Sequence, residues 1–126
     1  MPKSVLIVDD ERLLARTLSK ALKEAGYRTA TAGTAELAEK QIFSDETFDL
    51  VVLDNRLPKS SGLGILERMR ERNIESRVIL MTAFETPDVK AHAKRLKVDK
   101  YVRKPFDLTR MLHEIHDLVG GADEDL

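Results

Sequence analysis

Five times along this chain a short apolar, β-branched run is followed by a longer segment whose apolar residues recur at three- and four-residue spacing, and few folds accommodate that rhythm. The first run is Ser4 to Val8, and the first helical stripe is Leu13, Leu14, Leu18, Ala21 and Leu22 before Gly26. Arg28 to Ala32 begins the second unit, with a helix opened by Thr34 and running to about Phe43. Leu50 to Leu53 and a helix from about Leu63 to Arg72 make the third. After a fourth strand at Arg77 to Met81, Thr86, Pro87 and Asp88 supply an N-cap, a first-turn proline and an acid matched to the helix dipole. Tyr101 to Arg103 is the fifth strand. Asp107 caps a last helix whose Leu108, Met111, Leu112, Ile115, Leu118 and Val119 fall on one face before Gly120 and Gly121.

The central runs, Leu6 to Val8, Leu50 to Leu53 and Val78 to Met81, are apolar at nearly every position, as strands buried on both faces must be. The expected fold is therefore α/β, doubly wound, with a five-stranded parallel sheet covered by helices on both faces. A chain of 126 residues makes one domain, expected over residues 1–119, with residues 120–126 as a C-terminal tail or the start of a linker carrying the solvated acids Asp123, Glu124 and Asp125. The chain has no cysteine, which excludes a disulfide framework and a thiolate zinc site. No apolar run approaches the roughly 18 to 20 residues that cross a bilayer, and no signal segment opens the chain, so the expected location is cytoplasmic and no membrane partner is expected. A formal charge of -1 does not nominate a polyanion as partner.

In sheets of this kind ligands bind beyond the carboxyl ends of the strands, where the strand order reverses. Asp9 and Asp10 follow the first strand, Asp54 the third, Thr82 the fourth and Lys104 the fifth. Taken singly each has a bland explanation: Asp10 as a helix N-cap, Asp54 as a turn former, Thr82 as a turn hydroxyl, Lys104 as a solvated charge. Together they put three carboxylates on one edge, where each pair at 4 Å would repel by roughly 4 kcal/mol at an effective dielectric of about 20. A positive group has to sit among them. Oxygen-only ligands point to a hard cation, Mg²⁺ with Mn²⁺ as the substitute, and such an ion makes a carboxylate competent to accept a phosphoryl group. Asp54, on the central strand, is the expected nucleophile. Thr82 and Lys104 are expected on phosphoryl oxygens, and the small Ala83 leaves room for the donor.

Val8-Asp9-Asp10-Glu11, Leu53-Asp54-Asn55-Arg56-Leu57-Pro58 with Gly62, Met81-Thr82-Ala83, and Tyr101-Val102-Arg103-Lys104-Pro105-Phe106 stand in order on these strand ends, and the set resembles the receiver domains of bacterial two-component response regulators. The resemblance spans about residues 4 to 119. It implies a flavodoxin-like (βα)5 fold with strand order 2-1-3-4-5. It also implies that Asp9, Asp10, Asp54 and the backbone carbonyl of Arg56 hold Mg²⁺, and that a sensor histidine kinase phosphorylates Asp54. Tyr101 resembles the family's switch aromatic, which turns inward as Thr82 moves and remodels the face of the fourth helix, fifth strand and fifth helix. That face implies a C-terminal effector domain or downstream protein as partner, a transcriptional regulator by similarity to the nitrogen-regulation type, and a homodimer as a further use of the same face. Lys104-Pro105 is expected to be cis.

Two departures from the family pattern stand out. Lys97-Val98 replaces a common Gly-Ala, removing a residue suited to a left-handed cap. Arg56 and Phe84 are bulky at positions that in this family tune how fast the phosphoryl group hydrolyses, which predicts slow self-dephosphorylation. Lys90, Lys94, Arg95, Lys97, Lys100 and Arg103 make a basic run that reads first as a solvated face and second as a dock for an acidic partner. Direct nucleic-acid binding is not expected, since no aromatic interleaving accompanies the run. His92, His113 and His116 read as surface residues. Two other classes compete: a non-phosphorylated interaction or dimerisation module of the same fold, and an aspartate-nucleophile phosphohydrolase. The latter typically needs a second acid where Arg56 stands. As a receiver the chain would phosphorylate and dephosphorylate itself without turning over an external substrate.

Overall fold

The computed structural model describes residues 2–122, so the acids Asp123, Glu124 and Asp125 lie outside the described residues. The five sheet strands are β1 (Ser4–Val8), β2 (Arg28–Ala32), β3 (Leu50–Asp54), β4 (Arg77–Thr82) and β5 (Lys100–Arg103). All pair in parallel, in the order β2-β1-β3-β4-β5. The helices are α1 (Arg12–Glu24), α2 (Ala35–Ile42), α3 (Gly62–Glu71), α4 (Pro87–Arg95) and α5 (Leu108–Val119). The chain runs outward from β1 to β2, then returns past β1 to β3 and continues the other way, so the strand order reverses at the carboxyl ends of β1 and β3.

Alternation within the apolar runs divides the core in two, because successive strand side chains point to opposite faces. Leu6, Val8, Val51, Leu53, Val78 and Leu80 pack with Ala38, Ile65, Leu66 and Met69 on the α2-α3-α4 side. Val5, Ile7, Leu50, Val52, Ile79 and Met81 pack with Leu18, Leu22, Met111 and Ile115 on the α1-α5 side. The caps act as their residue types predict: the Thr34, Thr86 and Asp107 side chains accept from backbone N–H groups in the first turns of α2, α4 and α5, with Pro87 opening α4.

Three details differ from the sequence expectation. β3 and β4 run one residue further, through Asp54 and Thr82, because the ladder continues with Asp54 opposite Met81 and Thr82 opposite Arg103. Lys97 takes the left-handed conformation itself, at φ 59°. The Arg70 guanidinium donates to the carbonyls of Leu96 at 3.0 Å and Lys97 at 3.3 Å, satisfying the end of α4 from the side. Contacts also continue beyond residue 119: Tyr27 Oη donates to the Gly120 carbonyl at 2.7 Å, and Lys3 N–H to that of Ala122 at 2.8 Å.

Candidate functional site

The site forms where β1, β3, β4 and β5 end, and the loops after them wall a cleft of about 840 Å³ lined by Asp10, Glu11, Asp54, Arg56, Thr82 and Lys104, among others. Central β3 delivers Asp54, only 4% exposed, to the floor. The loop behind it folds back through a two-residue antiparallel pairing of Arg56–Leu57 with Ser60–Ser61. It closes tightly because residue 62 is glycine: a Cβ there would lie 2.5 Å from the Asp54 carbonyl oxygen.

Lys104 reaches the same floor from β5. Its backbone N–H donates to the Thr82 carbonyl at 2.8 Å, and the peptide bond to Pro105 is cis, as the resemblance implied. Lys104 Nζ donates to Asp9 Oδ2 at 3.0 Å, Glu11 Oε1 at 2.8 Å and Asp54 Oδ2 at 3.1 Å. The remaining oxygens of the two aspartates are also held: Asp9 Oδ1 accepts from Glu11 N–H at 2.9 Å and Asp54 Oδ1 from Arg56 N–H at 3.1 Å. Burial pushes the Asp9 carboxyl above its ordinary range, with the Glu11 N–H and Lys104 working against that and the Asp54 charge adding to it. Burial alone would lower the Lys104 pKa. Its hydrogen bonds to Glu11, Asp9 and Asp54 outweigh that and hold the ammonium above its usual value.

Three carboxylates against one ammonium leave the cluster negative. Oxygens of Asp9, Glu11 and Asp54 all lie within 4.8 Å of one another, a hard-oxygen set that fits a divalent cation. The Lys104 ammonium, bonded to all three, marks the point where positive charge is wanted. Asp10 lines the cleft but is exposed and stands outside this trio. It is also not the N-cap of α1, a position Glu11 takes.

Thr82 is buried beside the site, yet its hydroxyl donates to the Phe84 carbonyl at 2.8 Å and accepts from Phe84 N–H at 3.2 Å. Ala83 and Phe84 lie at the rim, where the Arg56 guanidinium sits over the Phe84 ring, 5.3 Å from its centroid. Tyr101 is half-buried against the α2-α3-α4 core, and its hydroxyl is buried with no hydrogen-bond partner among the described residues. Burial raises the pKa of its phenol, and the Glu85 charge adds to the shift.

A family model for the response regulator receiver domain matches residues 5–116. The chain belongs to this family. Among curated receivers it is 36% identical over 115 residues to the transcriptional regulatory protein PmrA of Pectobacterium parmentieri, covering 91% of this chain and 51% of that protein. Across the first such relatives the chain spans about half their length. It is 35% identical over 119 residues to sporulation initiation phosphotransferase F of Bacillus subtilis, covering 94% of this chain and 92% of that one. Among solved receivers, response regulator TrrA of Thermotoga maritima, in complex with Mg²⁺ and beryllium fluoride, superposes with a TM-score of 0.80 at 32% identity over 92% of this chain and 98% of that one. The non-phosphorylated HemR receiver of Leptospira biflexa gives 0.86 at 28% identity, covering 93% and 94%.

Glu11 is the receiver site residue to which the sequence attached no role. Its place beside Asp9 and Asp10 was the available signal, but an acid one residue into a loop has no fixed direction until the turn is known. The basic run is partly neutralised: Lys90 pairs with Glu85 at 3.6 Å and Lys100 with Glu114 at 2.7 Å. His113 and His116 belong to no metal-competent group among the described residues, and no described helix is long and apolar enough to cross a membrane.

Proposed function

We propose that this receiver accepts a phosphoryl group on Asp54 from a phosphohistidine of a sensor kinase in the cytoplasm. Its arrival is relayed through the face of α4, β5 and α5 to an effector domain or partner protein, a regulator of transcription by similarity to the relatives. The reading rests above all on the pairing of buried Asp54 Oδ2 with Lys104 Nζ, 3.1 Å apart at the floor of an open cleft at the sheet's reversal point. In the transfer an Asp54 oxygen bonds to phosphorus while the phosphorus–nitrogen bond breaks, and the electron pair leaves with the imidazole. Lys104 is already poised to follow the charge from the carboxylate to a phosphoryl oxygen. The Arg56 N–H holds the other Asp54 oxygen. A divalent cation, Mg²⁺ or in its place Mn²⁺, held by Asp9, Asp10, Asp54 and the Arg56 carbonyl, would neutralise charge on the transferring group.

Readout begins at Thr82. To bond a phosphoryl oxygen its hydroxyl has to give up the Phe84 carbonyl, drawing the β4-α4 loop toward Asp54. Tyr101 then turns into the space released, shifting the population between two packings of the α4-β5-α5 face. The same face serves for a homodimer. Intact-mass measurement with Mg²⁺ and phosphoramidate or beryllofluoride tests the reading. A single adduct that needs both Mg²⁺ and Asp54, and is absent from Asp54→Ala, is expected. A folded wild-type protein that forms none is instead the non-phosphorylated interaction module.

A further inference from the structure

We propose that Glu11 is a positioning residue that competes with the phosphoryl group for Lys104, strengthening divalent-cation binding while slowing phosphoryl uptake; this rests on the phospho-acceptor reading. An ammonium has three N–H donors and no more. Here all three are taken, by Asp9 Oδ2, Asp54 Oδ2 and Glu11 Oε1, and the Glu11 contact is the shortest at 2.8 Å.

The ordinary structural reasons for an acid at this place do not account for it. Glu11 is the N-cap of α1, but its side chain makes no capping hydrogen bond, and its carboxylate is turned toward Lys104 instead. Nor is it there to neutralise a buried charge, because Asp9 and Asp54 already give Lys104 two carboxylates. What Glu11 adds is a further negative charge at the rim, on a side chain 62% exposed against 0% for Asp9 and 6% for Asp54.

That charge acts with opposite sign on the site's two ligands. A divalent cation gains from it, and feels it twice as strongly as the ammonium does. An incoming phosphoryl dianion is repelled by it and meets an ammonium already partly neutralised. An exposed charge pair of this kind is worth up to about fivefold in an equilibrium or rate. Glu11→Gln keeps an acceptor oxygen and removes only the charge. It is expected to weaken Mg²⁺ binding, read by isothermal titration calorimetry, about three- to tenfold. At saturating Mg²⁺ it should speed adduct formation from phosphoramidate, read by intact mass, about two- to fivefold.

A side chain that merely supports the fold would not move these two readouts in opposite directions. Because part of the rate effect runs through Lys104, Glu11→Gln placed on Lys104→Met should accelerate the remaining rate less than it does in wild type, while Glu11→Asp, which keeps the charge, should behave like wild type in cation affinity. An unchanged or slower rate for Glu11→Gln at saturating Mg²⁺, or the same acceleration without Lys104, overturns the proposal while leaving Asp54 as acceptor. A wild-type protein that forms no Asp54-dependent adduct removes both.

Discussion

Replacing Tyr101 by phenylalanine should stabilise the unphosphorylated protein and weaken its response to activation. The Tyr101 hydroxyl is buried with no partner among the described residues, while its ring packs against the α2-α3-α4 core. Leaving a buried hydroxyl unpaired costs about 1 to 3 kcal/mol, and phenylalanine removes that cost while keeping the ring. We expect a gain of about 1 kcal/mol, which for a domain of this size raises Tm by roughly 3 to 5 °C. On the proposed reading the ring turns in the activated packing and its hydroxyl gains an acceptor, so the same change there forfeits a hydrogen bond of about 0.5 to 1.5 kcal/mol. The stabilisation that Mg²⁺ and beryllofluoride confer should therefore be smaller in Tyr101→Phe by about 1.5 to 2.5 kcal/mol. Urea denaturation with and without beryllofluoride, read at constant slope, measures both arms. A destabilised unphosphorylated variant, or equal shifts in the two states, would refute the idea that the unpaired hydroxyl biases the switch.

Lys104→Met leaves buried Asp9 and Asp54 facing each other without a counter-charge, and without divalent cation should cost about 3 to 5 kcal/mol, partly recovered in millimolar Mg²⁺; urea curves that ignore Mg²⁺ would count against Lys104 as the stand-in cation. Because folding raises the Lys104 pKa, its contribution is intact below the ordinary lysine value of 10.5 and is lost as pH climbs through the folded one, so wild type should show an alkaline loss of stability that Lys104→Met lacks. Phe84→Asn should shorten the phosphoryl lifetime, and because the Arg56 guanidinium sits 5.3 Å from the Phe84 ring centroid, Arg56→Ala and Phe84→Ala should be non-additive in hydrolysis rate by about 0.5 to 1 kcal/mol, or roughly two- to fivefold. Additive rates would show two independent shields. Lys97→Gly relieves a non-glycine residue at φ 59° and should stabilise by a few tenths to about 1 kcal/mol in thermal melts, an unchanged Tm meaning that the Arg70 contacts already absorb the strain.

The sheet was legible because its signals are local and redundant. Apolar runs buried on both faces, caps at Thr34, Thr86 and Asp107, and a one-sided stripe on α5 each depend on nearby residues alone, and they agree. Residues fixed to strand ends were legible too, since the backbone ladder carries Asp54, Thr82 and Lys104 to one edge whatever their side chains do. Side-chain direction in the loops is another matter. Asp10 and Glu11 are adjacent acids, and only the turn in which Glu11 N–H donates to Asp9 Oδ1 decides that Glu11 reaches Lys104 while Asp10 stands at the rim. The Arg56-Phe84 contact likewise joins two loops whose separation no spacing in the sequence reveals.

Thr82 shows why this limit matters for function. Its place at the end of β4 follows from the ladder, but its hydroxyl is bonded within its own loop, to Phe84, and not to Asp54. The hydroxyl has one proton to donate. On the reading proposed above, a hydroxyl that serves either its own loop or a phosphoryl oxygen, but not both, is what a two-state element needs, and the exchange costs little because one good hydrogen bond replaces another. The phosphoryl group therefore need supply only the difference between a neutral carbonyl and a charged oxygen as acceptor, about a factor of two in hydrogen-bond strength, to tip the loop. The ladder places Thr82 beside Asp54 at one edge of the sheet. On the proposed reading, which partner holds its hydroxyl is decided by the charge on Asp54.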